Sequence, residues 1–121
     1  MEPSHFSWSA KNLHSIPLTE RLNHLPNPLR ESIDRLITQV KPLKIWIFGS
    51  RGRSDQHSLS DYDIAVEIEL KFRDQWALFS IEEPEQIKML LPVDWLLFNE
   101  LSEVMQRKVL KEGTLLYAET R

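Results

Sequence analysis

The chain has 121 residues, a formal net charge of -3 and no cysteine. This length fits one domain with one real core, and the lack of cysteine excludes disulfides, zinc–thiolate sites and thiol nucleophiles. The acidic balance argues against a dedicated nucleic-acid binder. No apolar run approaches the roughly 20 residues of a membrane span, and the N-terminus lacks a secretory layout, so we expect a cytoplasmic protein.

The first 27 residues are predicted to be an N-terminal extension, followed by the domain proper over residues 28–121. Residues 1–17 show no clear period, which favours an extension that packs over the body or is loose. Phe6 and Trp8 leave open a second interpretation, an arm that binds a partner. A short helix is predicted over residues 18–25, where Pro26 ends it.

The next helix is predicted over Pro28–Val40, because apolar residues recur there at helical spacing. Asn27 is expected to be its N-cap, with Pro28 in the first turn, and Lys41-Pro42 ends it. We expect this helix to pack on a sheet and to carry no chemistry.

A second helical stretch is predicted over Asp74–Ile81, with three packing residues: Trp76, Leu78 and Phe79. The run Glu82-Glu83-Pro84-Glu85 then predicts a solvated acidic loop. Gln86–Leu91 is ambiguous between a short helix and an edge strand.

The C-terminal third begins with a predicted strand over Val93–Phe98. Ser102 can cap a last helix over Glu103–Glu112, and Gly113 fits the position just past its end. The apolar face of this helix is predicted from three residues: Val104, Val109 and Leu110. A short apolar segment, Thr114–Tyr117, follows.

The most informative stretch lies between two predicted strands. Leu43–Phe48 is an unbroken apolar run, which indicates burial on both faces. It breaks at Gly49-Ser50, and a polar loop of ten residues leads to Asp61-Tyr62-Asp63. A second strand follows, in which Ile64, Val66 and Ile68 alternate with other residues.

This order of strand, Gly-Ser, ten residues, Asp-x-Asp and strand resembles the signature of the polymerase-beta-like nucleotidyltransferase superfamily. The resemblance covers about residues 28 to 117, and the short chain is similar to the minimal nucleotidyltransferases (MNT), antitoxins found with a HEPN-type partner. It implies a single α/β domain, a small mixed sheet with helices packed against it. The family's loop often reads Gly-Ser-Arg-x-Arg-Gly, and here Ser54 stands at its last position.

The carboxylates have a physical reason to stand at this spacing. Asp61 and Asp63 are two positions apart, so on a strand they share one face. Mg²⁺ prefers oxygen ligands, typically one or two carboxylates plus substrate phosphates. The resemblance adds Asp94 as the third acid, and all three residues are then the predicted catalytic and metal-binding set, for two Mg²⁺ ions. A lone Asp94 inside an apolar run is also costly to bury unless it is paired or metal-bound.

The predicted nucleotide-binding residues are Gly49, Ser50 and Arg51. A glycine allows close approach of the backbone to a ligand, and Ser50 offers a hydroxyl and an N–H. If Arg51 opens a short helix, free N–H groups and the positive end of the dipole face the phosphates.

The resemblance implies a magnesium-dependent nucleotidyltransferase, with ATP as substrate. The chain has no room for an acceptor-selecting domain, so the acceptor is expected on another polypeptide. For an MNT antitoxin this implies AMP transfer to a tyrosine of a HEPN-type toxin, in a hetero-oligomer.

Two alternatives stay open at this point. The protein can be a non-catalytic, nucleotide-binding antitoxin that neutralises its partner by binding. It can also transfer a nucleotide to a small molecule or to an RNA end, for which the chain is respectively short and acidic.

Overall fold

The computed structural model describes residues 15–48, 62–89 and 92–119. These ranges hold four α-helices and four β-strands. In chain order they are α1 (Leu18–Arg21), α2 (Asn27–Val40), β1 (Lys44–Phe48), β2 (Tyr62–Glu67), α3 (Arg73–Gln86), β3 (Val93–Leu97), α4 (Glu103–Glu112) and β4 (Thr114–Ala118). Three-residue 3₁₀ turns lie at Leu22–His24, Leu70–Phe72 and Phe98–Glu100. The predicted single α/β domain is confirmed.

The four strands form one mixed sheet in the order β3-β2-β1-β4. Strand β1 is antiparallel to β2 and to β4, whereas β2 and β3 are parallel. A parallel pair needs a crossover connection, and α3 lies in that connection. The predicted apolar segment after Gly113 is the edge strand β4.

The first face of the sheet is covered by α2 and α3. Leu29, Ile33, Leu36 and Val40 of α2 pack with Trp76 and Phe79 of α3 on strand residues that include Ile45, Ile47, Ile64 and Val66. All eight aliphatic residues are fully excluded from solvent. The packing of α2 on the sheet is confirmed, and this layer is the main core.

The second face is covered in part by α4. Its contacts form a smaller core cluster around Trp46, Phe48, Ala65, Phe98 and Val109. The rings of Trp46 and Phe98 stack with centroids 4.7 Å apart. Strand β1 is therefore buried on both faces, as its unbroken apolar run predicts.

The N-terminal segment contacts the edge strand β4. The Arg21 guanidinium donates to the carbonyl oxygen of Ile16 at 2.9 Å and to that of Leu115 at 2.6 Å. The short helix predicted over residues 18–25 is confirmed as α1 with its 3₁₀ continuation. The boundary after residue 27 stays a prediction, and residues 1–14 lie outside the described ranges.

Two helices, α2 and α3, differ from the sequence prediction at their boundaries. Helix α2 includes Asn27, and its N-cap is Pro26 with no side-chain cap bond, so the predicted Asn27 cap is wrong by one position. Helix α3 runs to Gln86 with Pro84 inside it, so the predicted acidic loop is wrong. Residues 87–89 have no regular structure.

The acidic run is helical because Glu83 has partners on α2. Its side chain is 1% exposed, accepts a hydrogen bond from the Ser32 hydroxyl, and pairs with Arg35 at 2.6 Å. A buried charge needs such partners. The hydrogen bonds to Glu83 raise the pKa of Arg35, although partial burial opposes the shift. This cluster joins α2 to α3.

Helix α4 begins and ends as predicted. The Ser102 hydroxyl accepts from the Met105 N–H at 3.2 Å, and Gly113 is the C-cap. Its φ of -81° is ordinary, so a left-handed conformation is not the reason for glycine. An added Cβ would lie 2.5 Å from the Val109 carbonyl oxygen, 3.2 Å from that of Ile47 and 3.3 Å from the Phe48 Cβ. Gly113 therefore permits close packing of α4 on the end of β1.

Three residues predicted to pack are exposed instead. They are Leu78 of α3, at 56%, and Val104 and Leu110 of α4, at 66% and 59%. The remaining predicted packing residues, Trp76, Phe79 and Val109, are buried. No helix in the described part of the chain is both long and apolar enough to span a membrane.

We predict that Glu83→Ala lowers the free energy of unfolding by about 2 to 3 kcal/mol, because charged hydrogen bonds across the α2–α3 junction are lost. Urea denaturation measures the change. The neighbouring exposed residue supplies a control, and Glu82→Ala is expected to stay within about 0.5 kcal/mol of wild type. Equal effects of the two substitutions would contradict the role of the cluster.

We predict that Gly113→Ala lowers the free energy of unfolding by about 1 to 3 kcal/mol, because the added methyl group overlaps backbone atoms that cannot move freely. Thermal and urea unfolding measure it, with Lys111→Ala, an exposed change on the same helix, as the control. A variant as stable as wild type would show that the end of α4 can move away from β1 at no cost.

Candidate active site

Two of the predicted acids meet on neighbouring strands. Asp63 is the second residue of β2, Asp94 is the second residue of β3, and the two are direct partners in the parallel register. Paired residues of a sheet project to the same side. Both carboxylates therefore extend from one face, on strands about 4.8 Å apart.

The core residues of β2 decide which face carries Asp63. Tyr62, Ile64 and Val66 are buried against α2 and α3 on the first face. Because side chains alternate along a strand, Asp63 and Ala65 must lie on the second face. A slip of one residue would bury the carboxylate and expose three core side chains, so the register is strongly determined.

The alternation of side chains also decides the position of Asp94 on β3, an edge strand of the sheet. Val93, Trp95 and Leu97 pack with the main core, and the Trp95 ring meets the Phe79 ring edge to face with centroids 5.1 Å apart. Asp94 therefore projects to the second face, the face of Asp63.

The end of β1 lies beside the two acids. Phe48, the last residue of β1, is the register partner of Asp63, and Gly49-Ser50 follows it directly in the chain. On the other side, Gly113 contacts Phe48. The C-terminal end of α4 thus lies at the end of the sheet that carries the acids. The sequence predicts Gly113 as the end of a helix, but no local pattern predicts this contact.

The other predicted site residues lie outside the described ranges. Gly49, Ser50, Arg51 and Asp61 belong to residues 49–61, and their roles stay predictions. Of the predicted acidic triad, the structure brings together Asp63 and Asp94.

The expected burial of Asp94 is wrong. The sequence predicts a carboxylate inside a buried apolar run, where burial would require a partner or a metal. Asp94 is exposed, whereas Asp63 is half-buried. In the described part of the chain β3 pairs with β2 alone and is an edge strand of the sheet. The cost of burial therefore gives no reason to expect a metal here, and the register of Asp94 with Asp63 is the structural support for one.

The paired acids fit a magnesium ion. Two carboxylates that face the same side repel each other, and a divalent cation between them removes this repulsion. Mg²⁺ commonly uses one or two carboxylates and completes its shell with water and phosphate oxygens. Residues 15–48, 62–89 and 92–119 contain no group of three or more His, Cys, Asp or Glu that could hold a metal. A third ligand would therefore come from outside these residues, and Asp61 is the predicted one.

Comparisons with solved structures found similar folds. A toxin–antitoxin crystal structure with AMP-PNP is 25% identical, covers 74% of this chain and 73% of its own, and superposes with a TM-score of 0.54. Two mutant forms of the toxin–antitoxin MntA-HpeT are 23% and 22% identical, with TM-scores of 0.53 and 0.55. They cover 74% and 80% of this chain, and 73% and 76% of their own. At 23% and 22% identity, the similarity of these two structures to this chain shows the fold alone.

A search of curated proteins found no match. The family model for polymerase beta nucleotidyltransferases does match, over residues 31–121. This range runs from α2 to the C-terminus and contains the Gly-Ser pair, all three predicted acids and the four strands. The chain therefore belongs to the polymerase beta nucleotidyltransferase family.

Proposed function

We propose that this protein is a magnesium-dependent nucleotidyltransferase that moves AMP from ATP to a hydroxyl group, in the role of an antitoxin. The observation that carries the proposal is the register of Asp63 with Asp94 on one face of the sheet. Membership in the nucleotidyltransferase family supports it.

The proposed roles follow the chemistry of the groups. Asp61 and Asp63 would hold the metal ions, Asp94 would serve the acceptor side, and Gly49 with Ser50 would bind the β- and γ-phosphates, assisted by Arg51. Bound Mg²⁺ would supply charge neutralisation at the phosphates. Side chains on rigid strands keep their geometry, so Asp63 and Asp94 would present their carboxylates in fixed positions.

The transfer is balanced as a single displacement. A bond forms between the acceptor oxygen and the α-phosphorus, the bond between the α-phosphorus and the bridging oxygen breaks, and pyrophosphate leaves with that electron pair. The hydroxyl proton passes to the Asp94 carboxylate and from there to water. The exposure of Asp94 supports this role, since an acceptor and a water molecule can both reach it.

We infer that the acceptor is a protein, a tyrosine of a HEPN-type toxin. Two facts support this inference. The acid on β3 is open to solvent, and the similar structure at 25% identity is a toxin–antitoxin with AMP-PNP. A tyrosine side chain is long enough to reach such an open site from a separate polypeptide.

We predict that Asp63→Asn and Asp94→Asn each reduce transfer at least 100-fold, because a metal ligand contributes several kcal/mol to transition-state stabilisation. The protein is co-purified with the product of the adjacent gene and incubated with ATP labelled at the α-phosphate. Label on the partner, lost with EDTA, is the expected result. Asp34→Asn changes an exposed aspartate on α2 and should leave the transfer unchanged.

A stable complex with no label on either protein would contradict the proposed transferase activity and favour an antitoxin that acts by binding. Label on RNA or on a small molecule would support transferase activity and contradict the proposed protein acceptor. The double variant Asp61→Ala/Asp63→Ala separates the two functions, since it should bind the partner and fail to modify it.

We further predict that Asp94→Asn does not lower the melting temperature without Mg²⁺, because the Asp94 side chain is exposed. With Mg²⁺ and ATP, the melting temperature of wild type should rise and that of the variant should rise less. Differential scanning fluorimetry measures both. A variant that melts several degrees lower without ligand would assign Asp94 a structural role instead.

A further inference from the structure

Helix α3 exposes large apolar side chains on the side that faces away from the sheet. Leu78 is 56% exposed and Ile81 is 71% exposed. They are three positions apart, so they are neighbours on one side of the helix. Trp76, Phe79 and Glu83 project to the opposite side and are buried. The helix is therefore apolar on both sides, which core packing alone does not require.

This exposure is concentrated in one segment of the described chain. Of five large hydrophobic residues that are exposed there, three lie between residues 70 and 81: Leu70 in the turn before α3, Leu78 and Ile81. The other two, Val104 and Leu110, are six positions apart on α4, which places them about 120° apart around that helix. Scattered exposed apolar residues are normal, whereas a cluster indicates an interaction site.

The exposed charges on the same side of α3 are acidic. Asp74, Glu82 and Glu85 are exposed, and their helical positions place them on the side of Leu78 and Ile81. The one cation of α3 is Arg73 at its first residue, 3.4 Å from Glu100. We call Leu78, Ile81 and these three acids the α3 surface.

We propose that the α3 surface docks a basic amphipathic helix of a partner protein. Leu78 and Ile81 would meet the apolar stripe of that helix, and the three carboxylates would meet lysine or arginine residues that flank the stripe. The negative charge of the α3 surface favours a basic partner over a second copy of this chain. A second copy of this chain would bring the same acids against each other.

The α3 surface and the paired acids lie on opposite layers of the fold. Helix α3 covers the first face of the sheet, whereas Asp63 and Asp94 project from the second face. A helix docked on α3 therefore leaves the acids accessible. The proposal stands apart from the transfer chemistry, and either can fail without the other.

The test uses the whole chain and a synthetic helical peptide of 18 residues. The peptide carries leucines at positions i, i+3, i+4 and i+7 and lysines on its remaining surface, and a scrambled peptide of the same composition is the control. Fluorescence anisotropy gives the Kd, and backbone amide NMR shifts locate the binding site. We expect saturable binding of the patterned peptide, with shifts concentrated at residues 74–85.

Matched variants separate the α3 surface from exposed apolar residues in general. Leu78→Ser with Ile81→Ser should raise the Kd at least tenfold, whereas Val104→Ser with Leu110→Ser should leave it unchanged. Asp74→Asn with Glu82→Gln and Glu85→Gln should weaken binding and reduce its salt dependence. All these side chains are exposed, so circular dichroism and urea unfolding should match wild type.

Three outcomes would overturn the proposal. Equal binding of the scrambled peptide would show a general attraction to an acidic protein. Shifts located outside α3, or an equal effect of the α4 variant, would place the surface elsewhere. A wild-type dimer in sedimentation that becomes a monomer with the α3 variant would make the occupant a second copy.

Discussion

The register of β2 between its two neighbours is the constraint on which the site depends. Tyr62, Ile64 and Val66 are committed to the main core, and this leaves Asp63 no alternative to the second face. The same pairing places Phe48 on one side of Asp63 and Asp94 on the other. A hydrophobic preference for burial on one face thus sets the position of a charged group on the other. Asp63 and Asp94 lie on strands, which suits chemistry that requires fixed carboxylates.

The layer beneath the site depends on a polar contact. Glu83 is buried between α2 and α3, where Arg35 and Ser32 satisfy its oxygens. A buried ion pair adds little net stability by itself, but a lost partner is costly. The contacts of Glu83 with Arg35 and Ser32 set the orientation of α3 about its own axis. Because Glu83 must face α2, Leu78 and Ile81 on the opposite side of α3 must face solvent.

The proposed active site and the proposed docking surface have a common physical origin. Each lies on the outer side of an element whose other side is buried in the core. In β2 the buried residues direct Asp63 outward, and in α3 they direct the apolar pair outward. The outcomes are chemically different, since one surface presents carboxylates for a cation and the other presents apolar side chains beside acidic ones. Their separation on opposite layers allows one partner to be held by α3 while the acids remain open.

The sequence by itself determined the family, the strands at Phe48, Tyr62 and Asp94, and the helix capped by Ser102, because these depend on local patterns of burial and spacing. Tertiary structure decided the rest. It buried Glu83 by supplying Arg35 from another helix, and it exposed Asp94 because β3 lies at the edge of the sheet. It also explains why residue 113 is a glycine, because the backbone there lies too close to β1 for a side chain. In each case the environment of the residue comes from segments distant in the chain, which no local pattern encodes.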